Sequence, residues 1–220
     1  MVTLLGHGVY SISDAARFTR LRSSRVREWF RGRPSKARDA VFTSDYDSLT
    51  EENLLSFFDL IEVFIAGQLR TANVSMQTVR KVHAALKKEL QVNHPFCHRE
   101  LLLSGKTVLT RGLDEHGAEE IRDALTRQKF FPAVIKPFLK SLDYDQATKL
   151  AEKWRIANSV VIDPEICFGQ PIAEHAGIPT RILAKAYEAN GQDAGFVAHW
   201  FDVSTEDVNA AVAFESSLAA

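Results

Sequence analysis

Between Tyr10 and Pro34 the sequence spells two short helical patterns separated by a tight turn. Neither could hold alone in water, where isolated helices below about 12–15 residues are marginal. Whatever this region folds into, each helix must bury one face against the rest of the chain. Ser13 reads as the N-cap of the first, with Asp14 in its first turn, where negative charge suits the helix dipole. Ala15, Ala16 and Phe18 supply the apolar side, and Thr19 to Arg22 forms the turn. Ser23 or Ser24 is expected to cap the second helix, which runs to about Arg31 and stops at Gly32 and Pro34. There Val26, Trp29 and Phe30 stand at i, i+3 and i+4 and share one face. The hydrophobic spacing suits a helix-turn-helix and a plain helical hairpin equally.

Charge weighs between those two. The 220-residue chain carries 27 Lys and Arg against 28 Asp and Glu, a net of -1. That balance hides an asymmetry. Residues 1–40 hold nine bases and three acids, a local net of +6, whereas residues 156–220 hold two bases and nine acids, a net of -7. From residue 17 to 38 nine bases meet one acid, Glu28, a self-repulsion that a polyanion would relieve. A basic end and an acidic end point to two different partners. Nucleic acid suits the first, with the second helix in the major groove and its N-terminal side chains at the base edges.

The segments that follow extend the pattern. Residues 33–46, with the short run Ala40-Val-Phe-Thr43, read as a β-hairpin wing. Leu49-Thr-Glu-Glu opens a long helix carrying Leu54, Phe57, Phe58, Ile61, Phe64, Ile65 and Leu69. A second helix spans Val74 to Leu90, with Ser75 as N-cap and Met76, Val79, Val82, Leu86 and Leu90 on one stripe. The apolar run from Leu54 to Leu69 is broken by Asp59, Glu62 and Gln68 and falls short of the ~20 residues of a spanning helix. It reads as a buried helix of a soluble chain, and the start of the sequence lacks the pattern of an export signal.

In this order (helix, turn, basic helix, wing, long helix, helix) residues 8–92 resemble the winged helix-turn-helix of MerR-like regulators. The resemblance implies DNA binding as a homodimer. It points to Arg22, Ser24, Arg25 and Arg27, with Arg31 on the same helix, for the groove, and to Arg33, Lys36 and Arg38 for wing phosphates. The chain departs from that family afterwards, since no heptad run is sustained over three repeats.

The middle reads as a small mixed α/β unit. Leu101 to Thr110 suggests a hairpin about Gly105-Lys106, Ala118 to Lys129 an amphipathic helix, and Ile135 to Asp143 and Lys149 to Ile156 two strands. His94-Pro-Phe-Cys97-His98 offers zinc-type ligands, but no second spaced pair accompanies it, so no metal and no cofactor are expected. Two cysteines, Cys97 and Cys167, suit a reduced, cytoplasmic chain. No P-loop, dinucleotide fingerprint, zinc-protease motif or serine elbow appears, so catalysis is not expected.

The acidic end opens on a strand at Val160 and continues into three short helices, about Thr180–Ala189, Asp193–Trp200 and one capped by Ser204 with Asp207 reaching back. Ile182, Leu183, Ala186, Phe196, Val197, Trp200, Val208, Ala211 and Val212 are the expected core. The geometry is again helix-turn-helix, but a net of -7 repels phosphate, so protein contact is the expectation.

The run Ile162-Asp-Pro-Glu-Ile-Cys-Phe-Gly-Gln-Pro, then Gly177-Ile-Pro-Thr-Arg-Ile and the final Val-Ser-Thr-Glu-Asp-Val-Asn-Ala-Ala-Val-Ala-Phe, resembles a small helix-turn-helix antitoxin domain of the VapB type, catalogued as a domain of unknown function. With the MerR-like front half, the resemblance covers nearly the whole chain. It implies the antitoxin of a type II toxin–antitoxin pair that neutralises a PIN-type ribonuclease toxin and represses its own promoter DNA. The acidic end would hold the toxin, with Arg181 a candidate for the toxin's acidic cluster. The alternative is a MerR-like ligand-sensing repressor without a toxin. The expected fold is α+β, mainly α. Its domains are a winged helix-turn-helix at 1–95, an α/β connector at 96–157 and a trihelical domain at 158–220.

Overall fold

The structure is a computed structural model and describes residues 6–32, 39–47, 54–101 and 137–219. It divides into two compact units, Tyr10–Ala151 and Met1–Val9 with Glu152–Ala220. Helices dominate and strands are short, so the fold is α+β and mainly α.

In the first unit β1 (Tyr10–Ser11) leads into α1 (Ile12–Thr19). Its N-cap is Ser11 rather than Ser13. The Ser11 Oγ accepts the Asp14 N–H at 3.0 Å and Asp14 Oδ2 accepts the Ser11 N–H at 3.1 Å. A reciprocal box needs an acceptor three residues on, which Ser11 finds in Asp14 and Ser13 would not find in Ala16. Arg20, in the left-handed region, closes α1. In α2 (Ser23–Arg31) both serines lie inside the helix, and Arg22 holds the N-cap position without a side-chain cap bond. Gly32 ends α2 at φ 69° and ψ -168°, a conformation essentially reserved for glycine, and its N–H donates to the Glu28 carbonyl at 2.9 Å. Val26, Trp29 and Phe30 are buried, as their spacing predicts.

Of the expected wing, the run Ala40-Val-Phe-Thr43 is not a strand, and residues 33–38, with Arg33, Lys36 and Arg38, lie outside the described residues. The Val41 and Phe42 N–H groups instead donate to the Trp29 carbonyl at 2.6 and 3.1 Å. The last carbonyls of a helix lack intrahelical partners, and this stretch supplies donors for one of them. Phe42 is thereby buried against Trp29 and Phe30.

Nor does the long helix open at Leu49. Residues 48–53 lie outside the described residues, and Leu54–Leu55 form β2, paired antiparallel with β1. The helix, α3 (Phe57–Thr71), begins after Ser56, which forms the same kind of capping box with Asp59. It is buried on all sides, the mark of a central helix. A Cβ on Gly67 would sit 3.0 Å from Leu21 Cδ1, so the missing side chain lets the α1–α2 turn approach α3 closely. The helix α4 (Met76–Leu90) follows the expectation, with Ser75 accepting the Thr78 N–H and Val79, Val82 and Leu86 inward.

Past the 3₁₀ turn Pro95–Cys97, most of the expected hairpin and the helix Ala118–Lys129 lie outside the described residues. Of the run Ile135–Asp143, residues 137–139 are helical, and β3 covers Leu142–Tyr144 alone. The Ser141 N–H and Oγ both donate to the Phe138 carbonyl and close a turn where the strand was expected.

β4 (Ala151–Ala157), which lies in the second unit from Glu152 on, runs antiparallel to β5 (Val160–Ile162), and β5 to β6 (Pro171–Ala173), with Trp154 opposite Ile162 and Val161 opposite Ile172. Three helices follow, α5 (Thr180–Ala189), α6 (Ala194–Phe201) and α7 (Thr205–Ala219). Asp193 caps α6, and Ser204 and Asp207 form the expected box at α7. Thr180 Oγ1 donates to Glu215 Oε1 at 2.5 Å and ties α5 to α7. The core is Ala173, Leu183, Val197, Ala198, Val208 and Ala211. Ile182, Phe196 and Trp200, expected inside, are instead 42%, 49% and 65% exposed. Leu183 and Val197, each one residue further along its helix, take the inward direction in a cluster of Ala, Leu and Val.

Candidate functional site

The inward anchor of α2 decides what faces solvent. With Val26, Trp29 and Phe30 buried, Arg22, Ser24, Arg25, Arg27 and Arg31 are all exposed. With Glu28 and Gly32 they line an open concavity. Five of the eight residues expected at nucleic acid thus come together on one short helix; the three wing residues lie outside the described ones. Arg17 and Arg20 of the preceding helix and turn are also exposed, the Arg17 guanidinium lying 5.2 Å from the Phe18 ring centre. Because the α2 N-cap makes no side-chain bond, the positive end of the helix dipole lacks a side-chain acceptor of its own. An anion such as a phosphate would complement that end.

The three ligand-type residues around Pro95 part company. Cys97 is buried, its Sγ donating to the Phe58 carbonyl at 3.4 Å, and burial with the nearby Glu62 and Asp59 pushes its thiol pKa well up. His98 Nδ1 accepts the Glu100 N–H at 3.2 Å. His94 turns elsewhere, with its Nε2 3.0 Å from Asp45 Oδ1.

There it meets a polar cluster that sequence reasoning missed. Asp59 and Glu62, which read as charges interrupting an apolar helix, are each 1% exposed. Asp59 Oδ2 accepts from the Ser56 and Asp45 N–H groups and from Ser44 Oγ. Its other oxygen, Oδ1, has no hydrogen-bond partner among the described residues. Burial outweighs those bonds and raises the Asp59 carboxyl to about 6. Glu62 Oε1 accepts the Phe96 N–H, and its Oε2 lies 3.1 Å from His83 Nε2. Burial opposes charge on His94, but the Asp45 bond and the surrounding carboxylates prevail and raise its pKa. An acid inside the apolar stretch of a helix was the available signal, but nothing local says which distant histidine it meets.

In the second unit Phe196 and Trp200 make an edge-to-face pair on α6, with ring centres 5.6 Å apart. Ile166 and Phe168, beside the 3₁₀ turn Cys167–Gly169, are exposed too. Arg181 is exposed in the first turn of α5, next to Ile182. Such large apolar side chains on a strongly acidic unit suit protein contact better than phosphate.

Residues 160–214 match the family model described as "Protein of unknown function (DUF433)". A Mycobacterium tuberculosis (strain ATCC 25618 / H37Rv) protein named "Putative antitoxin VapB45" is 23% identical over 189 residues, which span 77% of this chain and 78% of that protein. The fold is similar to the crystal structure of Rv2018 from Mycobacterium tuberculosis, with a TM-score of 0.72 at 18% identity over 96% of this chain and 98% of that one. Among the described residues no helix is long and apolar enough to cross a membrane.

Proposed function

We propose that this chain is the antitoxin of a type II toxin–antitoxin pair. In this reading it acts in the cytoplasm, holds a PIN-type ribonuclease toxin through its acidic unit and represses its own operon through α2. The observation that carries the proposal is the exposure of Phe196 and Trp200, with Ile182, on a unit whose negative charge repels a polyanion. Buried aromatic anchors dominate protein interfaces, and a free partner surface holds them ready. Similarity to a protein named as an antitoxin supplies the class of partner.

The DNA half follows from electrostatics. Each Lys or Arg that neutralises a phosphate releases a counterion, so promoter affinity falls steeply with salt. A homodimer would set two copies of α2 on half-sites one helical turn apart, roughly 34–36 Å, or a multiple of that. Arg22, Ser24, Arg25, Arg27 and Arg31 supply the contacts on α2, with Arg33, Lys36 and Arg38 on phosphates beside it. In this reading Arg181, exposed in the first turn of α5, meets the toxin's acidic cluster. The antitoxin performs no chemistry itself and blocks access to the toxin's centre.

The test is co-expression of the full chain with the product of the adjacent gene, scoring growth and complex formation. Rescue and a stable complex are expected, both lost on replacing Phe196 and Trp200 by Ala, with promoter binding retained. A chain that binds its promoter but forms no complex with the neighbouring product would transfer the case to a repressor without a toxin.

A further inference from the structure

The polar cluster of the first unit plays no part in either proposed interface, yet it has the chemistry of a ligand site. We propose that Asp45, Asp59 and His94 bind one divalent transition cation, Zn²⁺ being the best match. The three side chains come from different places, the segment after Phe42, the first turn of α3 and the residue before the 3₁₀ turn. Their donor atoms all lie within 4.8 Å of one another. His94 Nε2 and Asp45 Oδ1 are 3.0 Å apart, close to the roughly 3.3 Å that separates two ligands on a tetrahedral Zn²⁺ with bonds of about 2.0–2.1 Å.

The second observation is the orphaned oxygen. Asp59 Oδ1 is buried and has no hydrogen-bond partner among the described residues, whereas native proteins satisfy the great majority of such atoms. Asp59 Oδ2 is held by Ser44, Asp45 and Ser56, so the carboxyl cannot turn to satisfy both oxygens at once. Buried carboxylates are ordinarily paired or coordinate a metal, and here the buried Asp59 is gathered with Asp45 and a single imidazole, His94.

The site also has a way in. The Asp45 side chain is 37% exposed and forms the rim, while Asp59 is the floor. Three protein ligands with one solvent-facing position match an open zinc site better than a closed four-ligand one. One imidazole with two carboxylates selects borderline cations such as Zn²⁺ and, more weakly, Mn²⁺. Once bound, the ion fastens residues 44–46 to the start of α3 and to the turn after α4. The inference is independent of the toxin reading and stands or falls without it.

The experiment is calorimetric titration of the chelator-treated, dialysed full chain with Zn²⁺ and, in a parallel arm, Mn²⁺, together with thermal melts. One saturable equivalent of Zn²⁺ and a raised melting temperature are expected. D45N and H94Q should each weaken Zn²⁺ by more than about tenfold, since even residues behind the ligands cost 10–100-fold. C97S and H98Q, whose side chains turn away, should bind as the unaltered chain does. Asp45 lies on the exposed rim, and its bond from Ser56 Oγ, 2.6 Å long, is one that the amide oxygen of Asn can still accept, so D45N decides the matter if H94Q fails to fold. Absence of saturable binding of either cation, or binding that D45N and H94Q leave unchanged, overturns the site.

Discussion

The helices α2 and α6 make an instructive pair. Each is 8–9 residues long, each follows a tight turn after another helix, and each carries a Trp and Phe residues. In α2 the Trp and Phe turn inward, at 4% and 7% exposure, and the outward side is left to Arg22, Ser24, Arg25, Arg27 and Arg31. In α6 Val197 and Ala198 turn inward, while Phe196 and Trp200 stand in solvent. One scaffold thus presents cations to its surroundings and the other presents rings. The difference lies in which neighbours each must fill. Phe42 completes an aromatic core around Trp29 and Phe30, whereas the buried cluster shared by α5, α6 and α7 is made of Leu, Val and Ala, with Tyr187 and Phe201 only partly buried against it. Identical topology therefore leaves open two kinds of partner, a polyanion and a protein.

The sharpest way to break this comparison is to remove the two tryptophans in turn. Trp29→Ala should cost about 3–5 kcal/mol of folding stability, as for a large buried side chain, while Trp200→Ala should stay within about 0.5–1 kcal/mol. Urea denaturation of both variants reads the difference, and equal losses would mean that Trp200 belongs to a core after all. Next in size is partner capture. Phe196→Ala and Trp200→Ala should each weaken the complex with the neighbouring gene product by about 2–4 kcal/mol if they are its anchors, measured by calorimetry. Unchanged affinity would send the toxin to another surface.

Arg25→Ala should cost ~1–3 kcal/mol of promoter affinity and relax sequence preference if it reads a base. Were it to touch phosphate alone, the loss would be uniform across sequences and the salt slope would flatten by about one. The smallest effect separates stability from binding. Arg22 holds the α2 N-cap position without a cap bond, so Arg22→Asn should stabilise the fold by about 0.5–1 kcal/mol. It should weaken promoter binding at the same time, because the substitution removes a cation from the face proposed to meet DNA. A variant that gains stability without losing affinity would take Arg22 off that face.

Local chemistry by itself determined a good part of this protein. The inward triad of α2 follows from i, i+3, i+4 spacing, and the caps at Ser75 and Ser204 from a hydroxyl placed just before a periodic run. Those features involve partners within one turn, so their energetics are written in consecutive residues. The N-caps of α1 and α2 lie a residue or two before the serines that the local pattern favours: at α1 Ser11 prevails over Ser13 through Asp14, and at α2 Arg22 holds the position with no side-chain cap bond. Tertiary structure alone decided the rest. It set the rotation that exposes Ile182, Phe196 and Trp200, since an amphipathic stripe does not say how large a side chain its neighbours can house. It also folded residues 41–42 onto the end of α2. And it brought His94 to Asp45, 49 positions away in the chain, where chain folding rather than spacing makes charges neighbours.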